Sequence, residues 1–370
     1  MAPKKAADTL VLVTGASGFV ASHVVRELLR RGFRVRGTVR SLKNKAKVDP
    51  IRKLDREGRL ELVEADLSNA DCWQSVVPGC DFVQHVASPF PLIADEACVQ
   101  TAVDGTLNVL KACAKCESVR KVMLTSSIVA IMEGHPSGEA LDETKWSKIE
   151  SVSGQYYMKS KTLAERAAWD FHRKLHASSG DNHFALSVVC PGFVLGPPVI
   201  DEQGSSVTLL RQLLQHELPA LPAIQTPVVD VRDVALCHVE AMLREEANDE
   251  RFMATSHPSL WFKEIAKTLA DEFKEQGYCV STLVAPNFMV RLMGFFDKTA
   301  ADAASSLGVE RVLDNSKARR VLGVEFRSAR EAILSMAYAL IERGVARRTE
   351  KYRGVPAKYR LEEEANIIAS

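Results

Sequence analysis

The chain has 370 residues, of which 46% are hydrophobic, so it can bury a large core and form a main domain with a smaller lobe. Its 48 Lys and Arg residues nearly balance its 47 Asp and Glu residues, which disfavours nucleic acid or an anionic membrane as a partner. No apolar run of about 18 residues is present, and Met1 to Asp8 lack the apolar segment of a signal peptide. We therefore expect a cytoplasmic protein, monomeric or homodimeric, whose partner is a small molecule.

Short apolar segments alternate with amphipathic segments through the first two thirds of the chain, which is the pattern of βαβ units. The predicted strands are 10–14, 34–39, 60–65, 82–86, 122–126 and 185–190. The predicted helices between them are 22–31, 45–56, 94–116 and 157–176. This order predicts an α/β protein with a doubly wound parallel sheet, the Rossmann fold.

Pro and Gly become frequent after Pro191-Gly192, where the regular alternation ends. We predict a dinucleotide-binding Rossmann domain over 8–190 and a smaller, mostly helical substrate lobe over 191–345. Some of the second segment would return to the first domain. The lobe would use helices near 260–276 and 329–344 and the segment 286–296, and a charged surface tail would follow over 346–370.

A glycine-rich turn separates the first predicted strand from the first predicted helix. Gly15 and Gly18 have G-x-x-G spacing, and Ala21 stands where a third glycine is common. Backbone N–H groups of such a turn and the following helix N-terminus bind a pyrophosphate, whereas a plain tight turn is the alternative. The predicted cofactor contacts in this turn are Gly15, Ser17, Gly18, Phe19 and Val20.

Arg40 stands at the end of the second predicted strand, where an acidic residue would bind the ribose 2′-hydroxyl of NAD. A cation at this position fits the 2′-phosphate of NADP instead. We therefore predict NADP(H) as the cofactor, bound by Arg40 and then by Lys47. Lys43 and Lys45 are equally well explained as a solvated basic surface.

Residues after later strands complete the predicted cofactor site. Asp66 and Leu67 would hold the adenine, although Asp66 also suits a helix N-cap. His85 is interpreted as a core histidine with satisfied hydrogen bonds rather than as a general base. Small residues after it allow close approach of a cofactor. The remaining predicted cofactor contacts are Val86, Ala87, Ser88, Pro191, Gly192 and Val194.

Tyr157 and Lys161 lie four residues apart in a predicted helix, so their side chains project from one face. The ammonium would lower the pKa of the phenol, and Tyr157 is therefore the predicted proton donor. Lys161 would also contact the cofactor ribose, beside Tyr157. Ser127, at the carboxyl end of the fifth predicted strand, is preferred over Ser126 as a hydrogen-bond donor to a substrate carbonyl because it lies nearer the loop.

Cys113 and Cys116 have the spacing of a redox pair or half a metal site, but they lie within a predicted helix. No second Cys or His pair of suitable spacing accompanies them. We interpret both as core residues and predict no metal.

These motifs together resemble those of the extended short-chain dehydrogenases/reductases. The resemblance is to the dihydroflavonol reductase and cinnamoyl-CoA reductase group, which includes yeast methylglyoxal (ketone) reductases. It runs from about Leu10 to about Tyr338 through VTGASGFVASHVV, GTVRS, EADL, HVASPF, AVDGTLNVLKAC, TSS, YYMKSKTLAE and CPGFVLGPP. It implies NADPH and a catalytic triad of Ser127, Tyr157 and Lys161. It also implies Asn108 as a fourth member that steadies a water relay, although Asn108 could equally bond the backbone.

The resemblance implies an NADPH-dependent carbonyl reductase that reduces an aldehyde or ketone to an alcohol. Ile131-Met132 replaces an asparagine usual in dihydroflavonol reductases, and Gly154 to Lys161 departs from the usual cinnamoyl-CoA reductase stretch, so polyphenols and CoA thioesters are disfavoured. Phe90, Met132 and Phe193 are the predicted substrate contacts. The alternatives are an NAD-dependent sugar-nucleotide epimerase/dehydratase or 3β-hydroxysteroid dehydrogenase, and a non-catalytic NADP-sensing regulator.

Overall fold

The computed structural model describes residues 4–88, 95–151, 155–178, 180, 182–200, 204–295 and 298–360. The strands are β1 Leu10–Val13, β2 Arg34–Val39, β3 Leu60–Glu64, β4 Phe82–His85, β5 Lys121–Thr125, β6 Ala140–Leu141, β7 Ala185–Pro191, β8 Phe193–Leu195, β9 Gln225–Thr226, β10 Val228–Asp230, β11 Arg251–Ala254, β12 Leu260–Trp261 and β13 Val312–Leu313. The helices are α1 Phe19–Arg30, α2 Lys45–Arg52, α3 Trp73–Val76, α4 Glu96–Ala114, α5 Tyr156–Ala177, α6 Ser205–Leu214, α7 Val231–Leu243, α8 Phe262–Phe273, α9 Asn287–Met293, α10 Lys298–Ala304 and α11 Ala329–Glu342.

A seven-stranded parallel sheet forms the centre of the molecule, in the order β3-β2-β1-β4-β5-β7-β11. The chain proceeds from β1 outwards to β3 and then crosses back to β4, so the strand order reverses between β1 and β4. In sheets of this kind ligands bind at the carboxyl ends of the strands beside this reversal. The predicted doubly wound Rossmann fold is confirmed.

Helices cover both faces of the sheet, with α1 and α7 packed together on one face and α4 and α5 on the other. Residues alternate between the two faces along β1, as the period of a strand requires. Val11 and Val13 join the core on the first face, whereas Leu10 and Leu12 join the core on the second. A strand buried on both faces is apolar throughout, which is why β1 was recognisable in the sequence.

Helix α1 begins at Phe19, three residues before its predicted start at position 22. Gly18 has an extended backbone and is the N-cap, and its carbonyl accepts the amide N–H of Ser22. The first turn of the helix therefore lies inside the glycine-rich motif, and its free N–H groups face the carboxyl edge of the sheet.

The chain returns to the central sheet after leaving it at β7. Helix α7 packs against α1, and β11 pairs in parallel with β7, so residues 231–254 belong to the layers of the sheet. Strand β11 and the helices α6, α7 and α10 were not predicted from the sequence. The division into a domain over 8–190 and a lobe over 191–345 stays a prediction.

A third hydrophobic cluster forms the core of the lobe, between α6, α8 and α11. The segment after α11 packs onto it: Tyr359 is buried and stacks on Tyr338, with 5.5 Å between the ring centroids. The prediction of a surface tail from residue 346 is therefore wrong as far as residue 360, because tyrosines in this charged segment cover the lobe. Residues 361–370 lie outside the described part of the chain.

Cys113, near the end of α4, is fully buried in the core, and Cys116 is partly buried against the same core, as predicted. Among the described residues, no group of three or more His, Cys, Asp or Glu side chains is arranged to hold a metal ion. No helix in the described part of the chain is long and apolar enough to cross a membrane.

Candidate active site

The turn between β1 and α1 is shaped by Gly15, which has φ of +64°. Its amide N–H donates to Thr38 Oγ1 at 2.9 Å, and a Cβ at this position would lie 2.9 Å from the Cβ of Ala87. Only glycine allows this turn to approach the segment after β4 so closely. The turn and the start of α1, with Ser17, Gly18, Phe19 and Val20, therefore form a cradle that fits a pyrophosphate.

Gly37 of β2 supports this cradle and was not identified from the sequence. A Cβ at Gly37 would lie 2.8 Å from the Cβ of Ala16 and 2.9 Å from Cδ2 of Leu62. The glycine lies within the GTVRS segment, in which only the arginine, Arg40, was assigned a role from the sequence. A glycine within an apolar strand is the signal that could have revealed the close approach.

Arg40 follows β2 directly and is exposed at the carboxyl edge of the sheet. The pKa of Asp66 lies below its ordinary value because Ser68 donates hydrogen bonds to the carboxylate, and the charge of Arg40 adds to the effect. Arg40 and Asp66 thus lie near each other, as the predicted binding of a phosphate and an adenine requires. Lys47 is exposed in the first turn of α2.

Asn108 of α4 holds the loop that contains Leu67. Its Nδ2 donates to the carbonyl of Leu67 at 2.9 Å. Gly105, one turn earlier, lies under the same residue, since a Cβ there would be 3.0 Å from the Cβ of Leu67. Asn108 was interpreted either as part of a water relay or as a helix residue bonded to the backbone. The structure shows the hydrogen bond to the backbone, which holds the loop of the predicted adenine site.

Ser127, Tyr157 and Lys161 come together although β5 and α5 are separated in sequence. Tyr157 and Lys161 lie in the first two turns of α5, and Ser127 follows β5. The hydroxyl groups of Ser127 and Tyr157 are hydrogen-bonded. Ser127 and Lys161 are buried, with 8% and 9% of their surface exposed. The three residues form a compact polar group at the carboxyl edge of the sheet.

Burial raises the pKa of Tyr157, the hydrogen bond from Ser127 opposes this rise, and the Cys98 thiol adds to it. The expectation that the pKa of Tyr157 is lowered is therefore wrong in this structure. Burial also lowers the pKa of Lys161 to about 8, against the opposing effect of Cys98 and Cys190. Tyr157 thus keeps its proton at neutral pH, and Lys161 is a cation close to losing its charge.

Cys98 of α4 is a neighbour of this group that the sequence analysis did not identify. Its thiol is buried, is hydrogen-bonded to Ser160, and influences the pKa of both Tyr157 and Lys161. Nothing in the spacing of the cysteines signals this position, because the contact depends on how α4 packs against α5.

His85 is the last residue of β4, and its two ring nitrogens differ in their hydrogen bonding. Its Nδ1 is hydrogen-bonded to Thr14 Oγ1 at 3.0 Å, but its buried Nε2 has no hydrogen-bond partner among the residues that the structure describes. Burial and the charge of Lys161 lower the pKa of His85 to about 3, so the ring is neutral. The interpretation as a satisfied core histidine is corrected, because an unpartnered buried nitrogen beside Lys161 fits a site that a bound molecule completes.

The segments after β4 and β7 provide the other predicted cofactor contacts. Ala87 donates its amide N–H to Thr14 Oγ1 at 2.9 Å, and Val86 and Ser88 flank it, half-buried. Gly192 follows Pro191, the last residue of β7. A Cβ at Gly192 would lie 2.3 Å from the carbonyl oxygen of Pro227, so any residue other than glycine would clash with the backbone at this position.

The predicted substrate contacts have different environments. Phe90 lies outside the described residues. Met132 is buried in the core on the α4 and α5 face, with 7% of its surface exposed, so its side chain has little area to offer a ligand. Phe193 is half-buried with its ring centroid 6.4 Å from that of Phe262, and Val194 pairs with Val229 between β8 and β10.

A Rossmann sheet with a glycine cradle and a Ser, Tyr and Lys group at its carboxyl edge defines an extended short-chain dehydrogenase/reductase. The model of the 3-beta hydroxysteroid dehydrogenase/isomerase family matches residues 12–269. The chain belongs to this family and is an oxidoreductase.

Known relatives agree with the resemblance drawn from the sequence, which is confirmed. Cinnamoyl-CoA reductase CAD2 of Medicago truncatula is 38% identical over 63% of this chain and 72% of the relative. An anthocyanidin reductase of Vitis vinifera is 31% identical over 71% of this chain and 80% of the relative.

Solved structures show the same fold. Yeast methylglyoxal/isovaleraldehyde reductase Gre2, complexed with NADPH, has a TM-score of 0.73 and 25% identity, covering 91% of this chain and 99% of that protein. Gre2 of Candida albicans with NADPH has a TM-score of 0.70 and 28% identity, covering 90% and 99%. NADPH, the cofactor of both structures, is the one predicted from Arg40.

Proposed function

We propose that the protein reduces an aldehyde or ketone to an alcohol with NADPH, and that Tyr157 donates the proton. The observation that carries the proposal is the hydrogen bond between the Ser127 and Tyr157 hydroxyl groups, with Lys161 buried one turn further along α5. Two hydroxyl groups that meet in this way can both bond to one carbonyl oxygen.

NADPH supplies the hydride when it is bound. The residues that fit it are the backbone of Gly15 and Gly18 for the pyrophosphate, Arg40 for the 2′-phosphate, and Lys161 for a ribose hydroxyl. The two Gre2 proteins carry NADPH, and the cradle at Gly15 has the close backbone approach that a dinucleotide needs.

In the proposed mechanism Ser127 and Tyr157 hold the carbonyl oxygen of the substrate. As negative charge develops on that oxygen, the proton of the Tyr157 hydroxyl moves to it and leaves a phenolate. The raised pKa of Tyr157 keeps the proton in place until the stronger base forms. Lys161, a cation below about pH 8, then stabilises the phenolate.

The test is NADPH oxidation by the purified protein with aliphatic, aromatic and dicarbonyl substrates, comparing the native chain with Tyr157→Phe. We expect turnover to fall about 10²- to 10⁴-fold, because proton donation is lost, while NADPH affinity stays within a few-fold. Tyr156→Phe is the matched control and should keep its activity. Equal losses in the two variants would contradict the assignment of Tyr157.

The same assay separates the alternatives. Oxidation of a 3β-hydroxysteroid with NAD in place of NADPH-dependent reduction would favour the dehydrogenase after which the family is described. Tightly bound NAD in the purified protein would favour a sugar-nucleotide epimerase or dehydratase. Tight NADPH binding without turnover of any carbonyl would favour a sensor.

A further inference from the structure

A strip of exposed apolar side chains runs along residues 283–295, which include α9. Its members are 42% to 83% exposed and are Leu283, Val284, Phe288, Met289, Leu292, Met293 and Phe295. Among the described residues, Leu243 is the one other large hydrophobic side chain that is exposed to this degree. Apolar surface concentrated in this way marks a binding surface, whereas single exposed residues do not.

The segment that follows the strip contacts both parts of the chain that carry the candidate catalytic residues. Ser305, just after α10, contacts the side chain of Gln155, the N-cap of α5, two residues before Tyr157. Helix α10 in turn packs against α9. The chain then reaches Arg311, whose guanidinium donates to the carbonyl of Met132 at 2.6 Å, five residues after Ser127.

The other end of the strip is fixed by backbone hydrogen bonds. Leu221 donates its N–H to the carbonyl of Leu283 at 2.8 Å and accepts the N–H of Ala285 at 2.9 Å. Arg311 also forms a buried ion pair with Glu133 at 2.7 Å. The backbone at the start of the strip is therefore fixed, and the segment that follows it is joined to the chain near both Tyr157 and Ser127.

Charge and size decide what the strip binds. Arg291 is the only charged residue in 283–295, whereas helices that lie on membranes are rich in Lys and Arg on their polar face. Stable protein interfaces use about 20–30 residues from each partner, several times the number in the strip. Methionine and phenylalanine side chains instead suit an apolar small molecule of variable shape, since they adapt and offer large contact areas.

We propose that the strip extends the substrate site and binds the apolar body of the carbonyl substrate while its carbonyl oxygen lies between Ser127 and Tyr157. The preferred substrates would be aldehydes or ketones with long alkyl chains. This inference rests on the proposed reductase function and adds the substrate class.

The test is kcat/KM for a series of straight-chain aldehydes from butanal to dodecanal, measured with NADPH. In the native protein we expect kcat/KM to rise about two- to fourfold for each added methylene group over part of the series. In the double variant Phe288→Ser/Leu292→Ser the rise should be flattened, so that the loss of kcat/KM relative to the native protein grows from butanal to dodecanal. Both side chains are exposed, so the fold should be retained, and the thermal unfolding midpoint checks this.

Leu243→Ser is the matched control, because it removes an exposed leucine at the end of α7, outside the strip. It should leave the dependence on chain length unchanged. A native protein that reduces butanal and dodecanal equally well would overturn the inference and leave the reductase function intact. So would a double variant that keeps the native dependence but changes the oligomeric mass or loses binding to phosphatidylcholine vesicles. If no aldehyde or ketone is reduced, the reductase function itself fails.

Discussion

Ser126 donates a hydrogen bond of 2.5 Å to the buried carboxylate of Glu165, and this bond ties the end of β5 to the helix that carries Tyr157 and Lys161. The same carboxylate accepts Nε of Arg251, from β11, at 2.5 Å. Adjacent serines thus have separate roles, because Ser126 fixes α5 and Ser127 contacts Tyr157. The geometry of the candidate catalytic group depends on a carboxylate that does not belong to it.

Replacing Glu165 with alanine should lower the free energy of unfolding by about 3–5 kcal/mol, because buried Arg251 loses its partner. Urea denaturation followed by tryptophan fluorescence measures the change. The control is Lys267→Ala, which breaks an exposed ion pair with Asp271 on α8 and should cost about 0.5 kcal/mol or less. Similar costs in the two variants would show that the Glu165 pair contributes no more than a surface pair.

Activity should fall as the pH rises through about 8. Lys161 is protonated below its lowered pKa of about 8 and loses the charge that stabilises the phenolate above it. The pKa of Tyr157 is raised, so this residue remains protonated over the same interval. A profile of kcat/KM against pH for NADPH-dependent reduction measures the fall.

Lys161→Arg is the control for that profile, since a guanidinium does not lose its proton in this range. Whatever activity remains in the variant should no longer fall near pH 8. A fall that persists would belong to another group.

Gly15→Ala should weaken NADPH binding and destabilise the fold. The left-handed backbone costs an alanine about 1–2 kcal/mol, and the new Cβ also meets Ala87 at 2.9 Å. Gly79→Ala is the matched control, because Gly79 has φ of +80° but open space around its Cβ position. The Gly79 variant should lose stability because of its left-handed backbone but keep the native NADPH affinity. Quenching of protein fluorescence measures that affinity. Native affinity in the Gly15 variant would argue against the cradle.

Arg40→Glu should reduce the preference for NADPH over NADH by about 10- to 100-fold, because a charge-assisted bond to the 2′-phosphate is lost and replaced by repulsion. The ratio of kcat/KM for the two cofactors measures it. Arg34, exposed at the opposite end of β2, supplies the control, and Arg34→Glu should leave the ratio unchanged. An unchanged ratio in both variants would place the phosphate elsewhere, with Lys47 the next candidate.

The strands and helices of the first two thirds of the chain could be predicted, because each is determined by the hydrophobic pattern of its own residues. The six predicted strands and the four helices between them exist, since apolar runs and amphipathic periods survive in any fold that buries them. The spacing of Tyr157 and Lys161 placed both in the first turns of one helix.

Strand β11 and the environments of Tyr157 and His85 could not be predicted, because they depend on contacts between residues far apart in the sequence. Strand β11 is four residues long and begins with Arg251, which is buried because it pairs with Glu165, 86 residues away, and donates to the carbonyls of Glu143 and Lys145. The pKa of Tyr157 depends on its burial, and the His85 Nε2, which has no partner in the described part of the chain, depends on the burial of β4 near Lys161. No pattern in the neighbouring residues encodes these distances.

Strand β11 comes about 60 residues after β7 in the sequence, and this distance affects both how the protein folds during synthesis and where it can be cut into fragments. A ribosome must complete residue 254 before the sheet can close, and until then β7 presents an edge of unpaired backbone N–H and C=O groups to other chains. A fragment cut at residue 190 would keep that edge permanently and would lack α7, the cover of α1. Residues 1–190 alone are therefore a poor module for transplantation, and a graft that keeps the sheet intact must carry residues 231–254 with it.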